Sequence, residues 1–260
     1  YKRQAGGVTP AGGAMLGTMS APTEKRPVRS VFTSRAGGHS AGAYDSFNLA
    51  AHVGDDPDAV ERNRARLAEV IGLEEGRLVW MEQIHSPTVT VVDGPHDGPV
   101  PATDALVTTT PRLALAVLVA DCVPVLLADA AAGVVAAAHA GRLGARNGIV
   151  ARTVEQMVEL GAKPENILAQ LGPAAGGESY EVPADMAADV EARLPGSRCE
   201  TCKGTPGLDL RAGLERQLRG LGVEAIQRSR VDTIATESLF SHRREGETGR
   251  QAGVVWLTGA

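Results

Sequence analysis

The chain has 260 residues, of which 43% are hydrophobic, 22% are charged and 3% are aromatic, and its formal net charge is −5. This composition suits one folded unit with a core of aliphatic side chains and excludes a disordered protein. The acidic balance argues against a nucleic-acid partner, which would require a basic surface. No apolar run approaches the roughly 18 residues of a membrane helix, so no membrane partner is expected. Three cysteines are too few for a disulfide framework, so we expect a cytoplasmic protein with free thiols.

The first 27 residues are rich in Gly, Pro, Ala, Thr and Ser and show no apolar periodicity. We therefore predict a disordered lead over residues 1–27. No linker and no internal repeat interrupts the remainder, so residues 28–260 are predicted to form a single domain. A strand is expected over residues 29–34, and a Gly-rich loop follows it.

The next predicted elements are one helix and a series of strands. The helix over residues 56–72 begins with an Asp N-cap followed by Pro and ends at Gly. Two strands, over residues 78–82 and 89–92, flank a short turn. The runs that follow are short, apolar and typical of strands buried on both faces; they span residues 105–108, 113–120, 123–128 and 134–138.

Helices dominate the predicted second half of the chain. They are expected over residues 147–160, 183–194 and 209–221, and a last strand over residues 253–257. Strands and helices that alternate irregularly in one domain indicate an α+β fold, with mixed β-sheets flanked by helices.

Three residues attract attention as metal ligands. Cys122 follows Asp121 at a break between two apolar runs, where a carboxylate needs a partner. His139 follows an apolar strand, and His85 lies in a turn. One Cys and two His form the ligand set of catalytic zinc sites with an open fourth position, and also of blue-copper centres. A buried cysteine and structural or surface histidines explain the same residues equally well, and spacing alone does not select these two histidines.

Two further groups remain open from local sequence. Cys199 and Cys202 are separated by two residues, but no second pair is nearby, so exposed thiols or a labile disulfide are favoured over a metal site. The segment over residues 241–250 carries three arginines. It is either a solvated turn or an anion clamp, since guanidinium groups match phosphate.

A series of motifs in chain order resembles the YfiH family, also called laccase-domain or polyphenol oxidoreductase proteins. Its members include purine nucleoside phosphorylases and a peptidoglycan editing factor. The matching segments are residues 33–38 (TSRAGG), 46–55 (SFNLAAHVGD), 83–86 (QIHS), 104–108 (DALVT), 120–125 (ADCVPV), 139–141 (HAG), 172–174 (GPA), 180–182 (YEV) and 241–251.

The resemblance implies that His85, Cys122 and His139 are the catalytic, metal-binding residues, with zinc as the metal and copper as the alternative. It also implies phosphorolysis of adenosine, inosine and methylthioadenosine together with adenosine deamination, so the expected partners are a nucleoside and phosphate. The alternative is an amidase that edits peptidoglycan precursors and takes a muropeptide. A copper-dependent polyphenol oxidoreductase (laccase) is the third reading. The sequence does not indicate the oligomeric state.

Two departures from the family pattern bear on the site. The usual Trp-Arg-Gly after His-Ala-Gly is Arg142-Leu143-Gly144, and the expected Cys-Thr is Asp232-Thr233. We expect Asp121 to orient a ligand histidine. The residues predicted to bind substrate or phosphate are Arg35, Asn48, Gln83, Arg142, Arg243 and Arg250.

Overall fold

The structure is a computed structural model and describes residues 15–17 and 27–259. The predicted disordered lead therefore lies mostly outside the described residues. Within it, Met15–Gly17 forms a short strand that pairs with Val28–Phe32.

Strands and helices of the described residues are numbered in chain order. The strands are β1 (Met15–Gly17), β2 (Val28–Phe32), β3 (Leu78–Val79), β4 (Val89–Val91), β5 (Ala105–Thr108), β6 (Ala114–Val119), β7 (Val123–Asp129), β8 (Val134–Ala140), β9 (Leu168–Leu171), β10 (Arg198–Glu200), β11 (Pro206–Leu208), β12 (Ala225–Arg228) and β13 (Gln251–Leu257). The α-helices are α1 (Pro57–Ile71), α2 (Arg142–Arg146), α3 (Ile149–Glu159), α4 (Ala184–Arg193), α5 (Leu210–Gly220) and α6 (His242–Glu245).

Two mixed sheets form the centre of the molecule. The first sheet has the strand order β1-β2-β13-β6-β3, and the second sheet has the order β12-β9-β7-β8-β5-β4. The pairs β3–β6, β4–β5 and β9–β12 are parallel, and the other pairs within these sheets are antiparallel. Strands β10 and β11 form a separate hairpin. The predicted α+β fold with mixed sheets is confirmed.

Alternation of side chains along the strands divides the core into three layers. On β6, Val117 packs between the two sheets, whereas Leu118 packs toward α1. On β8, Ala137 packs between the sheets, whereas Ala138 packs toward α3, α4 and α5. Successive strand residues point to opposite faces, so every position of these strands is buried. His139 follows Ala137 in the same alternation, which places its side chain at the end of the layer between the sheets.

The longer predicted elements are confirmed. Helix α1 has the Asp56 N-cap, whose side chain accepts a hydrogen bond from the backbone N–H of Asp58 (3.1 Å), and it ends at Gly72 with φ +72°. The helix predicted over residues 147–160 begins at Ile149, because Gly148 (φ +86°) separates it from the short helix α2. Strands β9 to β12 are not predicted from the sequence. The described residues contain no helix with the length and apolarity needed to cross a membrane.

Candidate active site

The structure brings His85, Cys122 and His139 together, and we call them the ligand trio. Their potential ligand atoms all lie within 4.8 Å of one another, and they are the single group of this kind among the described residues. Cys122 Sγ lies 3.8 Å from Nε2 of His85. The two imidazole rings meet edge to face, with centroids 4.7 Å apart and an interplanar angle of 76°. Each ligand comes from a different segment: the loop after β3, the turn between β6 and β7, and the end of β8.

The space beside the trio suits one metal ion. Ligand atoms of a tetrahedral zinc lie about 3.3–3.6 Å apart when the zinc–nitrogen and zinc–sulfur distances are normal, so the trio has to close only slightly. A Cβ added at Gly141 would lie 2.6 Å from His85 Cδ2 and 3.0 Å from Cys122 Sγ. Glycine at this position therefore leaves the room that the imidazole occupies. The donor set and this cradle fit a single ion.

Asp104 organises both histidines of the trio. It is fully buried, and its carboxylate accepts hydrogen bonds from the backbone N–H groups of Ile84 (3.2 Å), His85 (2.9 Å) and Ser86 (2.7 Å) and from the Ser86 hydroxyl (2.8 Å). It also accepts a hydrogen bond from Nδ1 of His139 at 2.8 Å. That bond leaves Nε2 of His139 as its ligand atom. The same carboxylate shapes the loop that carries His85, whose φ is +61°.

Charges around the trio shift its protonation. Burial raises the pKa of Asp104, but the hydrogen bonds from His139 and Ser86 outweigh it and hold the pKa at about 2. Burial lowers the pKa of His139, yet the thiolate of Cys122 and the Asp104 carboxylate raise it to about 9. Burial raises the pKa of Cys122, and the two histidines bring it down to about 6. The cysteine is thus a thiolate at neutral pH, the form that binds metals.

Asp121 does not take the part expected from the sequence. Its carboxylate accepts hydrogen bonds from the Thr233 hydroxyl (2.6 Å) and from the backbone N–H of Arg243 (2.7 Å). The carboxylate that accepts from a ring nitrogen of the trio is Asp104, which is hydrogen-bonded to Nδ1 of His139. Asp121 has φ +90° in the turn before Cys122. It therefore ties the turn that carries the cysteine to the start of α6.

The sequence reasoning missed Asp104 as a partner of the trio, although it lies in a motif that was identified. The signal is the register of β5 and β8, in which Ala105 pairs with Ala138. Asp104 and His139 are thus neighbours across the sheet. The pairing of these two strands has to be known before that proximity becomes visible.

A cleft of about 330 Å³ opens over the trio, and we call it the main cleft. Beside it lies a smaller cavity of about 140 Å³, the side cavity, and both are bordered by Ala120, Cys122 and His242. The main cleft is also lined by His52, Gln83, His85, Leu118, Val119, His139 and Arg250. The side cavity is also lined by Asp121, Arg142, Ala175, Tyr180, Leu210 and Arg243.

Four of the six predicted substrate or phosphate residues border these cavities. Gln83 lines the main cleft, where its amide donates to the carbonyl of Leu118 and accepts from its N–H, each at 2.8 Å. Arg250 lines the same cleft and donates to two backbone carbonyls of its own loop. Arg142 and Arg243 line the side cavity.

The other two predicted residues lie elsewhere. Arg35 forms an ion pair with Glu245 at 2.6 Å, and its guanidinium lies 4.7 Å from the centroid of the Phe240 ring. Asn48 is fully buried, and its amide is used by Ala50, by Asp55 and by the N–H of Arg250. Neither residue lines the main cleft or the side cavity, because both side chains are committed to holding loops together.

The remaining sequence features are also outside the two cavities. Cys199 is partly buried and donates to the carbonyl of Gly177, whereas Cys202 is exposed, and both are free thiols. Asp232 accepts hydrogen bonds from the N–H groups of Gly176 and Ile234. Its neighbour Thr233 reaches the site indirectly, through its hydrogen bond to Asp121.

The chain is similar to proteins of known family. The family model described as multi-copper polyphenol oxidoreductase laccase matches residues 29–258. A protein of Corynebacterium glutamicum named purine nucleoside phosphorylase is 66% identical over 234 residues, which cover 89% of this chain and 95% of the relative.

Solved structures agree with this assignment. YlmD of Geobacillus stearothermophilus has a TM-score of 0.85 and 33% identity, and the match covers 90% of this chain and 93% of that one. The Bacillus licheniformis hypothetical protein YfiH has a TM-score of 0.83 and 31% identity, with 88% and 92% covered. The chain therefore belongs to the multi-copper polyphenol oxidoreductase laccase family, known also as the YfiH family.

Proposed function

We propose that this protein is a zinc-dependent purine nucleoside phosphorylase that acts on adenosine, inosine and methylthioadenosine and also deaminates adenosine. The observation that carries the proposal is the ligand trio at the floor of the main cleft, with all ligand atoms within 4.8 Å of one another. The name of the Corynebacterium relative supports the substrate class.

The main cleft has the size and lining that a nucleoside needs. Its volume of about 330 Å³ lies in the range of small-molecule sites. Leu118, Val119 and Ala120 give it an apolar wall for a base, and Arg250 adds a polar edge. His52 and His242 also line it, and imidazole groups exchange protons near neutral pH.

Phosphorolysis exchanges one bond for another. An oxygen of phosphate bonds to C1′ of the ribose while the bond from C1′ to the purine nitrogen breaks, and the electron pair leaves with the purine. The proton that phosphate gives up ends on the purine, so the products are ribose 1-phosphate and the free base. In deamination, water adds at C6 of adenosine and ammonia leaves.

Zinc is the metal that we favour, because neither reaction is a redox reaction. One thiolate and two imidazoles leave the fourth position of a zinc ion open. When bound, zinc would supply Lewis-acid polarisation of an oxygen next to the reacting carbon. The ligand trio would hold the ion, while Asp104 orients His139 and Gly141 leaves room for the ring of His85. One ligand group among the described residues also supports a single ion rather than a multi-copper cluster.

The test is to incubate zinc-loaded protein with inosine and with adenosine, each with and without phosphate, and to separate the products by chromatography. We expect phosphate-dependent release of hypoxanthine and adenine, and phosphate-independent formation of inosine from adenosine. Cys122→Ala should abolish all three while the protein still unfolds cooperatively. Zinc-loaded protein that releases no base would refute the phosphorylase. Cleavage of a muropeptide amide by the same preparation would then identify the editing amidase.

A further inference from the structure

The side cavity contains guanidinium hydrogen-bond donors that the described residues do not use. The guanidinium of Arg142 makes no hydrogen bond or ion pair with any residue of the described chain. Arg243 uses one nitrogen, Nη1, to donate to the carbonyl of Glu181 at 2.8 Å, and it stacks on the Tyr180 ring with 4.8 Å to the centroid. Asp189 is a charged neighbour of Arg142, but no acceptor among the described residues takes the hydrogens of its guanidinium. Arg142 is partly buried and Arg243 is exposed, so this pair of cations has spare donors for a ligand.

The acidic groups of the side cavity do not take up these guanidinium donors. Asp121 is its one carboxylate, and both oxygens of that carboxylate already accept hydrogen bonds, from Thr233 and from the N–H of Arg243. The Tyr180 hydroxyl makes no hydrogen bond within the described residues. Burial, followed by the charge of Cys122, raises its pKa, so the hydroxyl keeps its proton as a donor. Two guanidinium groups and one hydroxyl therefore face the Asp121 carboxylate and the sulfur of Cys122, one of the three residues that would hold the metal.

Size and position restrict the ligand. The cavity of about 140 Å³ is smaller than the roughly 300 Å³ at which sites for drug-sized ligands begin. It shares Cys122 and His242 with the main cleft. A ligand in the side cavity thus lies at the border of the space assigned to the nucleoside, on the Cys122 side of the trio.

We propose that the side cavity binds a tetrahedral oxyanion, inorganic phosphate, between Arg142, Arg243 and Tyr180, as the second substrate of the reaction. This proposal rests on the proposed phosphorylase activity for the identity of the anion. Guanidinium groups pair with phosphate oxygens through charge-assisted hydrogen bonds. A phosphate held here has an oxygen at the border of the main cleft, from which it can bond to C1′ as the base leaves.

The experiment measures binding of inorganic phosphate to the zinc-loaded protein by titration calorimetry, without nucleoside, and then the KM values for phosphate and for inosine. Arg142→Ala and Arg243→Ala should each weaken phosphate binding roughly ten- to hundredfold, the effect of losing hydrogen bonds to a charged group. The KM for inosine should stay within about twofold, because uniform loss of phosphate binding leaves nucleoside binding intact. Arg142→Lys should fall between wild type and Arg142→Ala, and it covers the case in which the alanine variant is poorly folded.

Arg152 provides the matched control. It is an exposed arginine of α3 that lines neither cavity, so Arg152→Ala removes the same charge and should bind phosphate like the wild type. Unchanged phosphate binding in both Arg142→Ala and Arg243→Ala would overturn the proposal. So would weakened binding of inosine 5′-monophosphate alone, which would assign the cavity to the phosphate group of a nucleotide. Arg142-dependent phosphate binding in a protein that cleaves no nucleoside would keep the anion site and remove the phosphorylase.

Discussion

Two carboxylates flank the ligand trio, the buried Asp104 and the partly buried Asp121, and they have different roles. Asp104 accepts five hydrogen bonds, of which one comes from a ring nitrogen of the trio and four from the loop that carries His85. The carboxylate of Asp121, next to Cys122 in the chain, accepts two hydrogen bonds, neither of them from a histidine. Proximity in sequence to a ligand therefore says less about function than proximity across the sheet.

The contrast extends to the surroundings of each acid. On the Asp104 side every described polar contact is satisfied within the protein, which gives a rigid, preorganised half-site. On the Asp121 side, Arg142 has donors without acceptors. Rigid ligands on one side and spare donors on the other are the arrangement expected when one side holds a metal and the other receives a substrate.

The largest effect is expected from Asp104→Ala. Removing the carboxylate breaks a buried ion pair, leaving Nδ1–H of the buried His139 and three backbone N–H groups without acceptors. We expect the free energy of unfolding to fall by about 3–5 kcal/mol and zinc affinity to fall roughly ten- to hundredfold. Urea unfolding and competition with a chromophoric chelator measure the two quantities. Zinc affinity equal to that of the wild type would contradict the assigned role of Asp104.

The isosteric change Asp104→Asn separates stability from ligand orientation. Its amide oxygen still accepts from the loop, so the loss of stability should be smaller than in Asp104→Ala. With its oxygen toward the loop, the carboxamide turns its nitrogen toward Nδ1 of His139 and donates to it. The ring proton of His139 then moves to Nε2, the atom that would bind the metal. Zinc affinity should therefore fall as far as in the alanine variant.

The next effect concerns space rather than charge. Gly141→Ala places a Cβ 2.6 Å from His85 Cδ2, which pushes the ring out of the trio. We expect zinc affinity to fall roughly tenfold, with a loss of stability of only about 1 kcal/mol because His85 is exposed and can move. Gly76→Ala is the matched control, since nothing lies within 4 Å of its added Cβ. Equal zinc affinity in both variants would show that the cradle at Gly141 does not matter.

A smaller effect is expected from Asp121→Asn, on the other side of the comparison. Its two hydrogen-bond donors, Thr233 and the N–H of Arg243, each lose a charged acceptor, and the free energy of unfolding should fall by about 1–2 kcal/mol. Zinc affinity should change by less than about twofold, because no ligand is held by this carboxylate. A loss of zinc affinity as large as that of Asp104→Asn would erase the distinction between the two acids.

The smallest effect is a pH dependence near α6. Burial raises the pKa of Glu245, but hydrogen bonds from Thr248, Arg35 and Arg244 bring it down to about 2. A carboxyl with a lowered folded-state pKa stabilises the fold above its ordinary pKa of 4.5, and this contribution is lost as pH falls toward 2. Glu245→Gln should therefore cost about 1 kcal/mol at pH 7, and urea unfolding should show the difference from wild type shrinking below about pH 4.5. A difference that is constant with pH would contradict this account.

The sequence predicted the fold better than it predicted the contacts of the site. Helix α1 could be placed because capping and periodicity are local signals, and strands β5 to β8 because their apolar runs are continuous. Strand β12 (Ala225–Arg228) was missed, since it is mostly exposed at a sheet edge and carries no apolar pattern.

The trio itself came from family motifs, because its members are far apart in the chain and spacing gives no signal. The role of Asp104 depends on strand register, which the sequence does not show. Arg35 looked suitable for an anion beside its Gly-rich loop, but it is neutralised by Glu245, a partner 210 residues away. Long-range pairing of this kind is set by the tertiary fold, so local composition cannot predict it.

The three ligand segments have a mechanical consequence. His85 follows a strand of the first sheet, His139 lies on a strand of the second sheet, and Cys122 sits in the turn where the chain passes from one sheet to the other. An ion at the trio would therefore cross-link the two sheets at one end of the layer between them. A ligand that binds only the folded state raises the free energy of unfolding by about 2.7 kcal/mol when its free concentration is a hundred times its Kd. The supply of metal would therefore affect the thermal stability of the whole protein as well as its chemistry.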